Sequence, residues 1–151
     1  MDRKEKRLGD ILTEKGLISA RQLQEALDAQ QKTKEFLGSV LLARELIREK
    51  DLLEALSEQF GIPVTTIQHK YIDWEFVRGF SPSLVLDYKC FPFQKDGGTV
   101  TVAITNPLDA WALERVEKET KGFKLKLALV SREDMREAVR RYEEYIRKKY
   151  L

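Results

Sequence analysis

The chain has 151 residues, of which 42% are hydrophobic and 34% charged, proportions that suit one compact domain or two small lobes around a genuine core. Lys and Arg number 27 against 25 Asp and Glu, and a net charge of +2 is too small to indicate general binding of DNA or RNA, which needs a concentrated basic face. The single cysteine, Cys90, excludes an internal disulfide and a cysteine metal cluster.

No apolar run approaches the ~20 residues that span a bilayer. Residues 1–7 are charged where a signal peptide would carry an apolar core, so a cytoplasmic protein is expected.

The first 60 residues contain one pattern written twice. Residues 7–30 overlay residues 36–59 at an offset of 29. Leu8 falls on Leu37, Gly9 on Gly38 and Leu12 on Leu41. Leu17-Ile18 falls on Leu46-Ile47, then Leu23 on Leu52, Ala26 on Ala55, Leu27 on Leu56 and Gln30 on Gln59. Each copy predicts a short helix, a turn and a longer helix, with Leu23, Ala26, Leu27 and Gln30 on one face at spacings of 3 and 4. Gly16 fits the left-handed position after a helix, and Ser19 with Gln22 forms a capping box. Copy two has Glu45 for the glycine and Arg48 for the serine, so its turn is expected to differ in shape, because a left-handed non-glycine residue costs about 1 kcal/mol.

Gly61-Ile62-Pro63 ends the helical region. Residues 64–80 read as a mixed connector, and Ser81-Pro82 opens a short helix through about Asp87. Residues 88–93 predict a strand with Cys90 buried, Asp96-Gly97-Gly98 a turn, and residues 99–105 a second strand in a hairpin with the first. Residues 109–121 predict a helix with Leu113, Val116 and Thr120 on one face. Residues 123–130 predict a third strand. Ser131 with Asp134 caps a last helix carrying Ala138, Val139, Tyr142, Tyr145 and Ile146, and Arg147-Lys148-Lys149 complements its C-terminal dipole. The fold class is α+β: residues 1–62 form a helical lobe of two repeated helix pairs, and residues 63–151 a small α/β lobe with about three strands and two to three helices.

No catalytic constellation is present. There is no phosphate-binding loop of the G-x-x-x-x-G-K-[ST] type, and Asp96-Gly97-Gly98-Thr99 sits in a hairpin without a following helix. His69 has no metal-ligand neighbour at the required spacing and reads as a surface residue, while Glu143 and Glu144 read as solvated. For the doubled motif two readings stand. In one, the leucines are core, the glycines permit close packing and the glutamines are surface. In the other, Arg7 offers a planar fork for guanine or phosphate, Gly9 admits a ligand near the backbone, the leucines form an apolar platform, and a glutamine amide satisfies polar edges.

Arg7-Leu8-Gly9, Leu12, Gly16, Leu17-Ile18, Leu23, Leu27 and Gln30 resemble the first motif of the MshEN-type domain, found at the N-terminus of type II secretion and type IV pilus assembly ATPases (the general secretory pathway protein E family). Leu37-Gly38, Leu41, Leu46-Ile47, Leu52, Leu56 and Gln59 resemble its second motif. Residues 86–93, 99–105 and 123–130, with Asn106-Pro107-Leu108-Asp109, resemble the remainder of that domain. The resemblance implies a non-catalytic regulatory domain with no intrinsic cofactor or metal. Its ligand would be cyclic di-GMP, held by Arg7, Leu8, Gly9, Leu23, Leu27 and Gln30 and by Phe36, Leu37, Gly38, Leu52, Leu56 and Gln59, with Asp109 closing the site. Phe36 departs from a motif position that is often basic; it removes a phosphate partner but can stack on a base. Glu45 adds negative charge. The resemblance implies as partners an ATPase core in cis or trans and the inner-membrane platform protein of the machine, with no DNA or RNA. It places the chain at the inner membrane only through those partners. The alternative it carries is protein docking to the platform without nucleotide. Copy one keeps its arginine, turn glycine and cap, so Arg7 and Gln30 are expected to matter more than Phe36 and Gln59.

Overall fold

The computed structural model describes residues 3–150, with eight helices and three strands among them, and divides between Gly61 and Ile62 into two compact units.

The first unit is four helices: α1 (Arg3–Glu14), α2 (Ala20–Thr33), α3 (Leu37–Ala43) and α4 (Glu49–Phe60). Helices of 7 to 14 residues are marginal in water by themselves, so it is burial of their apolar stripes that makes them form. The first helix of each copy packs on the second helix of the other, α1 on α4 and α2 on α3. Leu8, Leu12, Leu37 and Leu41 are wholly enclosed in this core.

The turns of the two copies are the same. After α1, the N–H groups of Lys15, Gly16 and Leu17 donate to the carbonyls of Ile11, Thr13 and Leu12. After α3, Arg44, Glu45 and Leu46 donate to Val40, Leu42 and Leu41, the same bonds 29 residues on. Gly16 has φ 74° and Glu45 φ 58°, so the second turn keeps its left-handed residue, contrary to the expected change of shape. Three shared hydrogen bonds and the buried Leu41 and Ile47 on either side hold Glu45 against its local preference. The caps do differ. Ser19 and Gln22 bond reciprocally, whereas Arg48 only donates its N–H to the Asp51 carboxylate at 3.0 Å.

In the second unit, β1 (Phe91–Asp96), β2 (Thr99–Ile104) and β3 (Lys124–Leu129) form a sheet in that order. β1 and β2 are an antiparallel hairpin with a register irregularity at Phe93; β2 and β3 are parallel and joined by α7 (Ala110–Glu119). α8 (Arg132–Tyr150) packs on β1 and buries Met135, Ala138, Val139 and Tyr142 in a core with Phe91, Phe93, Ala103, Ala128 and Val130.

Three expectations shift here. The first strand begins at Phe91 rather than residue 88, because Tyr88 and Cys90 donate their N–H groups to Ser83 and Leu84 and so wrap the end of α6 (Pro82–Leu86). Asp96 pairs with Thr99, which leaves Gly97 and Gly98 as the turn, with Gly97 at φ 60°. The connector supplies a fourth helix beyond the two to three expected, the single turn α5 (Trp74–Val77), and Val64 bridges to β3 at Leu129. α5 persists because Trp74 stacks on Tyr145 at 5.2 Å and meets Phe91 edge-on at 5.9 Å.

Cys90 is buried as expected. Burial pushes its thiol up to about 12, with the charge of Asp109 adding to the effect, so it is inert near neutrality.

Candidate ligand site of the helical unit

Side by side, the two copies create the same close approach twice. A Cβ on Gly9 would lie 2.7 Å from Leu23 Cδ1, and one on Gly38 would lie 3.0 Å from Leu52 Cδ1. Both glycines therefore have a packing reason: they let the second helix of each copy lay a leucine on the first.

The leucines then part company. Leu8, Leu37, Leu52 and Leu56 are buried in the helical core. Leu23 and Leu27 are only half-buried. With Lys6, Asp10, Thr13, Glu14, Ala20 and Gln24 they line a groove of about 570 Å³ between α1 and α2. Arg7 stands exposed on α1 with its guanidinium 3.3 Å from Glu14.

The two glutamines are tied down differently. Gln30 is buried, and its amide donates to the carboxylate of Glu5, which also accepts the N–H of Leu37 at 3.0 Å. Glu5 thus joins the start of α1, the end of α2 and the first turn of α3. Gln59 donates to the carbonyl of Lys4 at 2.8 Å, and its Oε1 is buried with no hydrogen-bond partner. Both glutamines brace the N-terminal end of α1.

A second cleft, of about 550 Å³, lies at the junction of the two copies and is lined by Glu5, Gln30, Gln31, Lys34, Glu35 and Phe36. Phe36 is 37% exposed, and Lys34 ends α2 in a left-handed conformation at φ 62°. The sequence reading missed Glu5, Lys34 and Glu35. Glu5 was detectable: positions 5, 8, 9 and 12 form one helical stripe, and a carboxylate on an otherwise apolar stripe needs a partner.

Asp109 lies in the second unit, where its carboxylate caps α7 by accepting the Ala112 N–H at 3.1 Å. His69 is exposed, at φ 67°, and Glu143 and Glu144 are exposed. Among the described residues no group of three or more His, Cys, Asp or Glu could hold a metal ion, and no helix is long and apolar enough to cross a membrane. The clefts offer half-open apolar side chains, two lysines, amides and four carboxylates, and Arg7 stands exposed on α1, ion-paired to Glu14 of the first groove.

The chain thus carries a doubled helical unit and, after it, a three-stranded α+β unit. The MshEN domain matches residues 60–148, and the chain belongs to that family. Among curated relatives, it is 27% identical over 136 residues to the type IV pilus assembly ATPase PilB of Myxococcus xanthus, covering 90% of this chain and 24% of that protein. It is 32% identical over 118 residues to PilB of Thermus thermophilus, covering 77% of this chain and 13% of that one. The chain thus spans about a quarter or less of the length of these relatives. Among solved structures, that of MshE with cdg superposes with a TM-score of 0.82 at 26% identity, covering 90% of this chain and 98% of the other. The N-terminal domain of XpsE shares the fold, with a TM-score of 0.73 at 21% identity over 94% of this chain and 97% of the other. The family model that matches is the MshEN domain and not an ATPase catalytic core, in line with a non-catalytic chain.

Proposed function

We propose that this chain is a regulatory domain of a type IV pilus or type II secretion ATPase that binds cyclic di-GMP on its helical unit. The observation that carries the reading is the doubled geometry, in which Gly9 under Leu23 and Gly38 under Leu52 repeat one motif in space, in a chain that resembles MshE, itself solved with cdg. Arg7 supplies an exposed guanidinium for a phosphate or a guanine edge. Leu23 and Leu27 supply open apolar surface in the groove that Glu14, the ion-pair partner of Arg7, also lines, and Gly9, Gly38 and the buried leucines set the helix spacing. Gln30 acts from within its bond to Glu5. The domain would act in the cytoplasm, pass its ligand state to an ATPase core in cis or trans, and reach the inner membrane through the platform protein.

Calorimetry tests this. Wild type is expected to bind cyclic di-GMP saturably, and Arg7→Ala to lose most of the heat. No heat and no thermal shift at high micromolar ligand would end the proposal. A docking role without nucleotide is favoured by one observation, the exposure of Trp111 and Tyr71 on the second unit, at 74% and 88%. It predicts that Arg7→Ala still co-purifies with the platform protein.

A further inference from the structure

The cleft at the junction of the two copies has a composition of its own. Its wall is Phe36, the one large apolar side chain of the helical unit that stands exposed among the described residues. Phe36 begins α3 as its N-cap residue without a side-chain hydrogen bond to the helix, so the ring has no capping duty. The floor is the Glu5–Gln30 pair, and both Glu5 oxygens are engaged, one by the Gln30 amide and one by the Leu37 N–H. Glu35 is the other carboxylate lining the cleft, and it is exposed, as are Gln31 and Lys34.

A half-open aromatic ring, a carboxylate and an ammonium lining one cleft are groups suited to a nucleobase and its phosphate. The ring offers a face for stacking. An ionised carboxylate has only acceptors, so it pairs with a base edge that presents two adjacent donors. Among purines, guanine does so through N1–H and its exocyclic amine; adenine has an acceptor at N1 and turns the carboxylate away. The Lys34 ammonium lies in the same cleft, where it can meet a phosphate and offset the charge of Glu35.

We propose that this cleft takes one guanine base of a dinucleotide, with Phe36 stacking on it, Glu35 reading its Watson–Crick edge, and Lys34 holding the adjoining phosphate. This rests on the proposed cyclic di-GMP reading and adds to it the residue that selects the base. Glu35 is thus a specificity-determining residue, and Phe36 a contact that replaces charge with stacking.

The test titrates the 151-residue chain with cyclic di-GMP and, separately, with cyclic di-AMP. Wild type is expected to prefer the guanine ligand. Glu35→Gln, which keeps size and exposure but loses one acceptor, is expected to narrow that preference about tenfold or more, the scale of a lost bidentate base contact. Phe36→Ala is expected to weaken both ligands alike. Lys34→Ala should also weaken both, and should flatten the dependence of affinity on salt. All three positions are exposed, and circular dichroism checks that the fold is retained. A preference unchanged within twofold in Glu35→Gln, while wild type still binds cyclic di-GMP, overturns this inference and leaves the proposed function standing. Wild type that binds neither dinucleotide ends both.

Discussion

Glu5 carries the clearest energetic prediction. It is 8% exposed, and its two oxygens accept the Leu37 N–H at 3.0 Å and the Gln30 amide. Glu5→Ala leaves both donors buried without an acceptor. Each such orphan costs about 1–3 kcal/mol, and part is returned because the carboxylate no longer has to be desolvated. A net loss of about 2–4 kcal/mol is expected for the helical unit. For a unit of this size that lowers Tm by roughly 10–25 °C. Glu5→Gln keeps an oxygen for the Leu37 N–H, and, with the Gln30 amide turned to present its carbonyl to the new NH2, should cost less than Glu5→Ala. The two units can be watched separately. Both tryptophans (Trp74 and Trp111) and all five tyrosines lie beyond residue 62, so aromatic emission reports the second unit alone, while far-ultraviolet ellipticity reports helices in both. In urea, Glu5→Ala should lose ellipticity early, ahead of any change in emission. An ellipticity transition within about 0.5 kcal/mol of wild type would refute the assignment of Glu5 as the tie between α1, α2 and α3, since surface changes fall in that range.

Two further outcomes follow from the turns and the polar contacts. Glu45 holds φ 58° where copy one has Gly16 at φ 74°, so Glu45→Gly should stabilise the helical unit by up to about 1 kcal/mol and Gly16→Ala should destabilise it by a similar amount, read from chemical denaturation. In the second unit, partial burial opposes ionisation of Glu119. The Ser81 hydroxyl and N–H, both at 2.7 Å, and the Arg115 guanidinium at 2.6 Å outweigh it and hold the carboxyl below its ordinary 4.5. A lowered value means that this stabilisation is complete above about pH 4.5 and fades as pH falls through the folded value. Tryptophan emission in an acid titration should show that loss, and Ser81→Ala should make it smaller.

Most of the elements were legible in the sequence because they rest on local rules. The repeat at an offset of 29 survives as matching turns and matching glycine–leucine approaches. The Ser19–Gln22 box and the hairpin at Gly97-Gly98 form where short-range chemistry put them. The misplacements share one cause, long-range packing. α5 exists because Trp74 has Tyr145, some seventy residues away, to stack on, and residues 88–90 leave the sheet to close α6.

The candidate site divides along the same line. The sequence alone determined which residues repeat and that copy one keeps the glycine and the capping serine. It could not say which leucines of an amphipathic stripe remain open. A helical period assigns a face but not the depth of what covers it, and only packing of α1 on α4 and α2 on α3 separated the half-buried Leu23 and Leu27 from the enclosed Leu8, Leu37, Leu52 and Leu56. The partners of Gln30 and Gln59 were beyond reach for the same reason. An amide that reads as surface on one helix is an interior brace once another chain segment, with Glu5 or the Lys4 carbonyl, is laid over it.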